Sequence, residues 1–141
     1  MSVIFHLSIP INDFATARKF YGEVLGCPEG RAEVDRIDFD FYGHHMVAQL
    51  SPEEAAHKSM EIGKESYPVR HFGAFVSREE FQRLAKVLAE AGAKFVIQPE
   101  TRHSGTVKEQ YTMFVLDPFG NGLEFKSLFE PGNLFKKQRP A

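Results

Sequence analysis

The sequence contains no tryptophan and little cysteine, since Cys27 is the one cysteine among 141 residues. A single thiol cannot form a disulfide within the chain, and it cannot supply a metal motif that needs two cysteines. These absences favour a reducing compartment. They also mean that histidine and carboxylate side chains would have to hold any metal ion.

An excess of one charge and a long apolar run are absent as well. Seventeen basic residues nearly balance nineteen acidic ones, for a net charge of −2, so the composition disfavours nucleic acid or an anionic membrane as a partner. His6 interrupts the apolar N-terminus before it reaches the length of a signal or membrane segment. With 43% hydrophobic residues, we expect one cytoplasmic globular domain or two small modules that share a core.

The first half of the chain has the pattern of a β-α-β-β-β unit. Val3–Ile9 alternates between apolar and polar residues, which predicts a half-buried strand. A helix is predicted from Asn12 or Asp13 to Leu25, because a capping residue precedes it and a glycine follows it. The stretches 35–42 and 44–50 flank Gly43 and predict a hairpin.

The second half repeats this order of elements. Residues 69–76 predict a strand, and Ser77 with Glu80 forms a capping box that opens a helix closed by Gly92. Further strands are predicted at 94–98, 110–116 and 123–128. The sequence therefore predicts one α+β domain over residues 1–129, with a connector at 51–68, a tail at 130–141, and two modules at about 1–62 and 68–129.

Three polar side chains lie on the less apolar faces of predicted strands: His6, His71 and Glu124. His6 and His71 occupy matching positions on the first strands of the two halves, and Glu124 lies on the last strand. If the modules face each other, these side chains can converge. Two neutral imidazoles and one carboxylate on one side of a metal leave other positions open, as in non-haem Fe(II) sites, and the same set accepts Mn or Zn.

A resemblance to a known family rests on four segments: Phe5–Pro10, Ala17–Gly26, Arg70–Gly73 and Asp117–Lys126. Over about residues 3–129 the chain resembles the vicinal oxygen chelate superfamily. That superfamily contains glyoxalase I, bleomycin-resistance proteins and extradiol dioxygenases. The segments 38–44 and 50–55 are most similar to small bacterial proteins described as predicted extradiol-type dioxygenases.

The resemblance implies a fold and a function. Two βαβββ modules would form a curled mixed sheet that encloses a metal-binding cup, with His6, His71 and Glu124 as the metal ligands. Fe(II) is the favoured ion, and Mn, Ni or Zn are possible. The implied protein is a homodimeric extradiol-like dioxygenase that cleaves a small catecholic aromatic compound.

Two other functions stay open. A glyoxalase-like lyase or isomerase would use Ni, Zn or Mn and a fourth protein ligand. The position that we align with Glu124 in the first half is Gln49, a neutral amide that is a weak ligand and cannot act as a base. A bleomycin-resistance-like protein would bind an aromatic compound without catalysis, but those proteins lack the two histidines and the glutamate.

Extradiol enzymes also use a histidine or tyrosine near the metal to deprotonate the substrate. His103, in the loop 101–105, and Tyr111, on the next strand, are the candidates for this catalytic role. His44, His45 and His57 are weaker candidates. Because His44 and His45 are adjacent on a strand, at most one of them can face the cup.

Overall fold

Eight strands and a few helices make up the computed structural model, which describes residues 3–55 and 70–136. The strands are β1 (His6–Ile11), β2 (Glu29–Glu33), β3 (Arg36–Phe41), β4 (His44–Leu50), β5 (His71–Phe75), β6 (Lys94–Arg102), β7 (Gln110–Leu116) and β8 (Gly122–Leu128). The helices are α1 (Phe14–Ala17), a π-helix (Arg18–Val24), α2 (Pro52–Ala55), α3 (Arg78–Glu90) and a 3₁₀ turn (Pro131–Asn133).

The strands form two sheets with the same topology. Sheet A has the order β1-β4-β3-β2 and sheet B the order β5-β8-β7-β6. In each sheet the first pair is parallel and the other pairs are antiparallel. This repetition confirms the prediction of an α+β fold built from two βαβββ modules.

Local capping signals begin the helices where the sequence predicts. The Asp13 side chain accepts a hydrogen bond of 2.8 Å from the Thr16 backbone N–H at the start of α1. The Ser77 hydroxyl accepts one of 3.1 Å from the Glu80 N–H at the start of α3. The first helix widens into its π-helical segment after Ala17 and thereby buries Phe20 and Tyr21.

Several element boundaries differ from the predicted ones. Strand β1 begins at His6 rather than Val3, and β6 continues to Arg102 rather than residue 98. Strand β2 is exposed along its whole length, so it carries no apolar alternation by which a sequence pattern could place it. The connector begins as the short helix α2, whereas its later residues and His57 lie outside the described residues.

The two sheets turn their apolar faces toward one common core. Phe41 of β3 contacts Phe72 of β5 and Phe125 of β8, with ring centroids 5.6 and 6.3 Å apart. One cluster of buried residues includes Ile9, Phe39, Leu123 and other members of both sheets. Each sheet therefore directs its second face outward. The predicted fold of two βαβββ modules is therefore present, with one core shared by the two sheets.

A buried polar cluster joins the modules on the core side. The Tyr21 hydroxyl donates a hydrogen bond of 2.6 Å to Asp117, in the turn between β7 and β8. Asp117 also accepts bonds from the Phe119 and Asn121 backbone N–H groups. The Asn121 side chain donates to the Pro10 carbonyl at 3.0 Å. The turn before Glu124 is therefore anchored to β1 and to the first helix.

Two features of the composition have clear structural counterparts. Cys27 is buried, and burial raises the pKa of its thiol to about 12, so the thiolate is scarce at neutral pH. Of the helices within residues 3–55 and 70–136, none is both long enough and apolar enough to cross a membrane.

Candidate metal centre

His71 and Glu124 meet on the outward face of sheet B. Strands β5 and β8 are parallel neighbours, and their register pairs His71 with Gly122 and Gly73 with Glu124. The two side chains therefore lie on the same face of sheet B, displaced from each other by two residues along neighbouring strands. His71 Nε2 lies 3.0 Å from Glu124 Oε2, and the two side chains are 23% and 16% exposed.

The Glu124 carboxylate is oriented from its other side. Thr112 of β7 donates a hydrogen bond of 3.2 Å to Glu124 Oε1, and Lys126 Nζ lies 3.4 Å from the same oxygen. Thr112 is buried, so its hydroxyl is a fixed donor. These contacts engage Oε1 and turn Oε2 toward His71.

A cavity of about 220 Å³ opens in front of this pair and is lined by residues of β5 and β8. Phe75 and Lys126 line the cavity together with His71 and Glu124. The Lys126 amine lies 5.5 Å from the centre of the Phe75 ring, an attractive cation–aromatic contact. The cavity thus combines an apolar wall with a cation beside the carboxylate.

His6 lies elsewhere, on the outward face of sheet A. Its Nδ1 is 2.9 Å from His45 Nδ1, and His45 Nε2 is 3.3 Å from Asp38 Oδ2. Across residues 3–55 and 70–136, no three histidine, cysteine or carboxylate side chains are grouped so as to hold a metal. The structure therefore brings together two of the three predicted ligands, whereas His6 lies on the other sheet, beside His45.

The His71–Glu124 pair fits two ligands of one divalent ion. Imidazole nitrogen and carboxylate oxygen bind such ions at about 2.0–2.2 Å. Two ligands at right angles around the ion are then about 3 Å apart. The observed Nε2–Oε2 separation of 3.0 Å matches that spacing. Two ligands alone leave the coordination of such an ion incomplete.

Comparison with known proteins identifies the family. The model of the Glyoxalase/Bleomycin resistance protein/Dioxygenase superfamily matches residues 3–125. The chain is 35% identical to a protein of that description from Alicyclobacillus acidocaldarius, with a TM-score of 0.78 over 94% of this chain and 96% of the other.

The chain belongs to this superfamily. A genomically encoded fosfomycin resistance protein from Listeria monocytogenes shares the fold, with 12% identity and a TM-score of 0.72 over 95% of this chain and 99% of the other. No curated protein matches the chain. The superfamily includes metal-dependent enzymes and resistance proteins.

The strand register shows that a residue other than the predicted Gln49 corresponds to Glu124 in the first module. Glu124 pairs with Gly73, two residues after His71, whereas Ser8, two residues after His6, pairs with Val47. The counterpart of Glu124 in this superfamily member is therefore Val47, and Gln49 lies two residues further along β4. Val47 has no atom that can bind a metal or act as a base.

The predicted acid–base residues do not lie beside the His71–Glu124 pair. Tyr111 projects from the core side of β7, where it stacks on Phe81 and accepts a hydrogen bond of 2.6 Å from Arg78. Successive residues of a strand face opposite sides, so Tyr111 and Thr112 diverge, and only Thr112 reaches Glu124. The predicted catalytic role of Tyr111 stays a prediction, and in one chain the residue does not adjoin the pair.

His103 lies at the far end of sheet B. It is exposed, with a positive φ of 56°, in the loop after β6. The strand pairings place Arg102 opposite Gln110, and Gln110 opposite Leu128. Leu128 is four residues from Glu124 along β8, which corresponds to about 13 Å. The predicted role of His103 stays a prediction, and in one chain this loop does not adjoin the pair.

Sequence reasoning missed the residues that support the site. Thr112, Lys126 and Phe114 share the outward face with Glu124, and the Phe114 ring lies 4.9 Å from that of His71. Period-two spacing relates Lys126 to Glu124, which is a signal that the sequence contains. Thr112 and Phe114 lie on a different strand, and only the register of β7 with β8 brings them to the site.

Proposed function

We propose that this chain is a metal-dependent enzyme that works as a homodimer, in which His6 of one copy joins His71 and Glu124 of the other. The observation that carries the proposal is the His71–Glu124 pair, held 3.0 Å apart at a cavity. His6 would supply the missing third donor. It lies on the outward face of sheet A, which has the same topology as sheet B.

Unpaired sheet edges support the dimer. Within the described residues β1 pairs with no strand other than β4, and β5 with none other than β8, so each sheet ends in an open edge beside a proposed ligand. Open edges favour pairing with a second chain. Apolar side chains are exposed near these edges, where Ile4, Phe5 and Phe75 are 64%, 62% and 45% exposed. Placing β1 of one copy beside β5 of another would cover them.

Each residue of the proposed site has a distinct task. His71, Glu124 and His6 would hold the metal, and Thr112 and Lys126 would keep Glu124 turned toward it. Two neighbouring oxygen atoms of a substrate would chelate a divalent ion bound there, and Fe(II) would pass electrons from that substrate to O₂, both of whose atoms would enter the product. Phe75 would pack on an aromatic ring, while Lys126 would bind an acidic substituent.

The reaction we propose is extradiol-type cleavage of a small catecholic compound with Fe(II). Three protein ligands leave room for a substrate that binds through two oxygens. Val47 supports this choice over a glyoxalase-like lyase, because it places no carboxylate opposite Glu124 that could bind the metal and move a proton. A non-catalytic aromatic-binding protein would not need the His71–Glu124 pair.

Metal content is the first experiment. Protein loaded anaerobically with Fe(II), Mn, Ni or Zn in parallel should retain one ion per chain, and Glu124→Ala should retain none. Gln49→Ala is the matched control, because that residue lies outside the proposed ligand set. Failure of the wild type to retain any ion would overturn the metal centre and move the function to ligand binding.

The reaction class is tested on the loaded protein. The Fe(II) form should consume O₂ in the presence of a catechol, with the yellow ring-opened product measured by absorbance. Turnover of a hemithioacetal by the Ni or Zn form, without catechol cleavage, would instead identify a lyase. Fosfomycin belongs in the same screen, since a resistance protein shares the fold, and its modification would overturn the dioxygenase proposal.

A further inference from the structure

His6 belongs to a connected chain of three side chains on sheet A. The parallel register pairs His6 with His45, and their rings lie side by side, with centroids 4.9 Å apart and 25° between the planes. The two Nδ1 atoms are 2.9 Å apart. Asp38, on the next strand, reaches the far side of His45, with Oδ2 3.3 Å from Nε2.

The donors and acceptors in this chain can be assigned in order. An ionised carboxylate only accepts hydrogen bonds, so the proton of a neutral His45 lies on Nε2, which faces Asp38. His45 Nδ1 is then an acceptor. The contact between the two Nδ1 atoms needs one donor, which must be His6 Nδ1–H. A neutral His6 with its proton on Nδ1 carries a lone pair on Nε2, the form that binds a metal.

We propose that His45 and Asp38 are positioning residues that hold His6 in its Nδ1–H tautomer and fix its ring, so that Nε2 is presented as a metal ligand. This inference rests on the proposed function, because it gives His6 a role toward the metal. The hydrogen bond from a ligand histidine to an acceptor is a general feature of metal sites. Here the acceptor is a second histidine, itself oriented by a carboxylate.

The other neighbours of Asp38 do not replace this contact. Arg31 Nε lies 3.9 Å from Asp38 Oδ2, but the Arg31 side chain is 88% exposed and its contact is correspondingly weak. The Asp38 side chain is only 17% exposed. A carboxylate so placed, with its oxygen at hydrogen-bonding distance from an imidazole nitrogen, orients that ring.

The first measurement reads the tautomer without any metal. Long-range ¹H–¹⁵N spectra of the metal-free protein, recorded at alkaline pH, should show His6 mainly as the Nδ1–H form. His45→Phe keeps a ring for stacking but removes the acceptor, and it should shift His6 toward the Nε2–H form that predominates in free histidine. A wild-type His6 that is mainly Nε2–H would overturn the proposal.

The second measurement is the metal dissociation constant. Competition with a coloured chelator for Zn should show binding weakened about 10–100-fold in His45→Phe and in Asp38→Leu. Glu33→Gln is the control, since it removes a carboxylate from the same sheet at a site 62% exposed, and it should bind as the wild type does. Unchanged affinity in both test variants would overturn the positioning role.

The two proposals fail in distinguishable ways. If the wild type binds no metal, the proposed function falls, and with it the role of His45 and Asp38 toward a metal; the tautomer spectrum still decides whether the hydrogen-bond chain exists. If the wild type binds metal and His6→Ala abolishes it, while His45→Phe changes neither tautomer nor affinity, only the positioning role falls. Circular dichroism of each variant confirms that it is folded.

Discussion

At the scale of single residues, a buried hydroxyl and a buried carboxylate join the two modules. Tyr21 is fully buried and Asp117 is 4% exposed, and the bond between them is 2.6 Å long. Burial raises the pKa of Tyr21 well above its ordinary value, and the nearby Asp117 charge adds to the effect. Tyr21 therefore keeps its proton, and remains a hydrogen-bond donor, at neutral pH.

Removing that donor should destabilise the protein. Tyr21→Phe leaves the buried Asp117 with one hydrogen bond fewer, which we expect to cost about 1–3 kcal/mol of unfolding free energy. Tyr42→Phe is the matched control, because its hydroxyl also bonds a carboxylate, Glu80, but the residue is 43% exposed. Loss of the Tyr42 hydroxyl should lower the unfolding free energy by less than about 1 kcal/mol. Urea denaturation measures both, and equal costs would contradict the prediction.

Asp117 should also make stability depend on pH. Burial raises the pKa of its carboxyl, although hydrogen bonds from Tyr21 and Asn121 act in the opposite direction. The folded state then holds the proton more tightly than the unfolded chain, whose aspartate pKa is about 3.9. The stability this group contributes is complete below about pH 4 and is lost as pH rises through the folded-state pKa.

The check is the unfolding free energy of the wild type minus that of Asp117→Asn at a series of pH values. We expect this difference to fall from about pH 4 upward until the folded-state pKa has been passed. The subtraction removes the contributions of other carboxylates. A difference that grows with pH would mean that the hydrogen bonds outweigh burial at Asp117.

At the scale of elements, the site depends on how closely β5 approaches β8. A Cβ added at Gly73 would lie 1.7 Å from the Glu124 carbonyl oxygen, a backbone atom. One at Gly122 would lie 2.8 Å from the Phe114 ring and 3.1 Å from the His71 Cβ. Both glycines are therefore needed for the strand spacing that sets the His71–Glu124 distance.

Gly73→Ala should force the two strands apart. We expect it to cost at least about 1–3 kcal/mol of stability, as overpacked sites do, and to weaken metal binding. Gly132→Ala serves as the control, because its added Cβ has no neighbour within 4 Å and should change stability by less than about 0.5 kcal/mol. Thermal unfolding and Zn titration test both variants. Wild-type stability in Gly73→Ala would show that the strand spacing is not under this constraint.

At the scale of the whole molecule, the shared core determines which of the proposed metal ligands one chain brings together. Both apolar sheet faces contribute to one core, so His6 and Glu124 lie on the other faces of two different sheets, and the described residues contain no group of three side chains that could hold a metal. In the proposed dimer, a second copy would bring the two faces together without disturbing that core. The proposed dimer thus follows from the same packing that separates the ligands.

Mixing two inactive variants tests the shared site. His6→Ala and Glu124→Ala should each fail to bind metal alone. After unfolding and refolding together in equal amounts, random pairing makes half of the dimers mixed, each with one intact site, so about a quarter of the wild-type metal content should return.

The control mixture pairs His71→Ala with Glu124→Ala. Both substitutions affect the same half of the site, so no pairing restores it, and metal content should stay near zero. Recovery in the control, or none in the test mixture, would contradict a site shared between chains.

The sequence alone determined the elements that depend on near neighbours. Capping by Asp13 and Ser77, the hairpin at Gly43 and the strand 110–116 each follow from residues a few positions apart. Repetition of these signals in the same order also predicted the paired βαβββ modules. His71 and Glu124 were predicted because each stands on the polar face of an apolar strand.

Only the tertiary structure decided how these faces are combined. The register of β1 with β4 makes Val47, not Gln49, the counterpart of Glu124, and the packing of β7 on α3 turns Tyr111 away from the site. The common core separates His6 from the other two ligands. Strand register and sheet packing depend on contacts between residues about 40 to 100 positions apart in the chain, whose energies no local pattern contains.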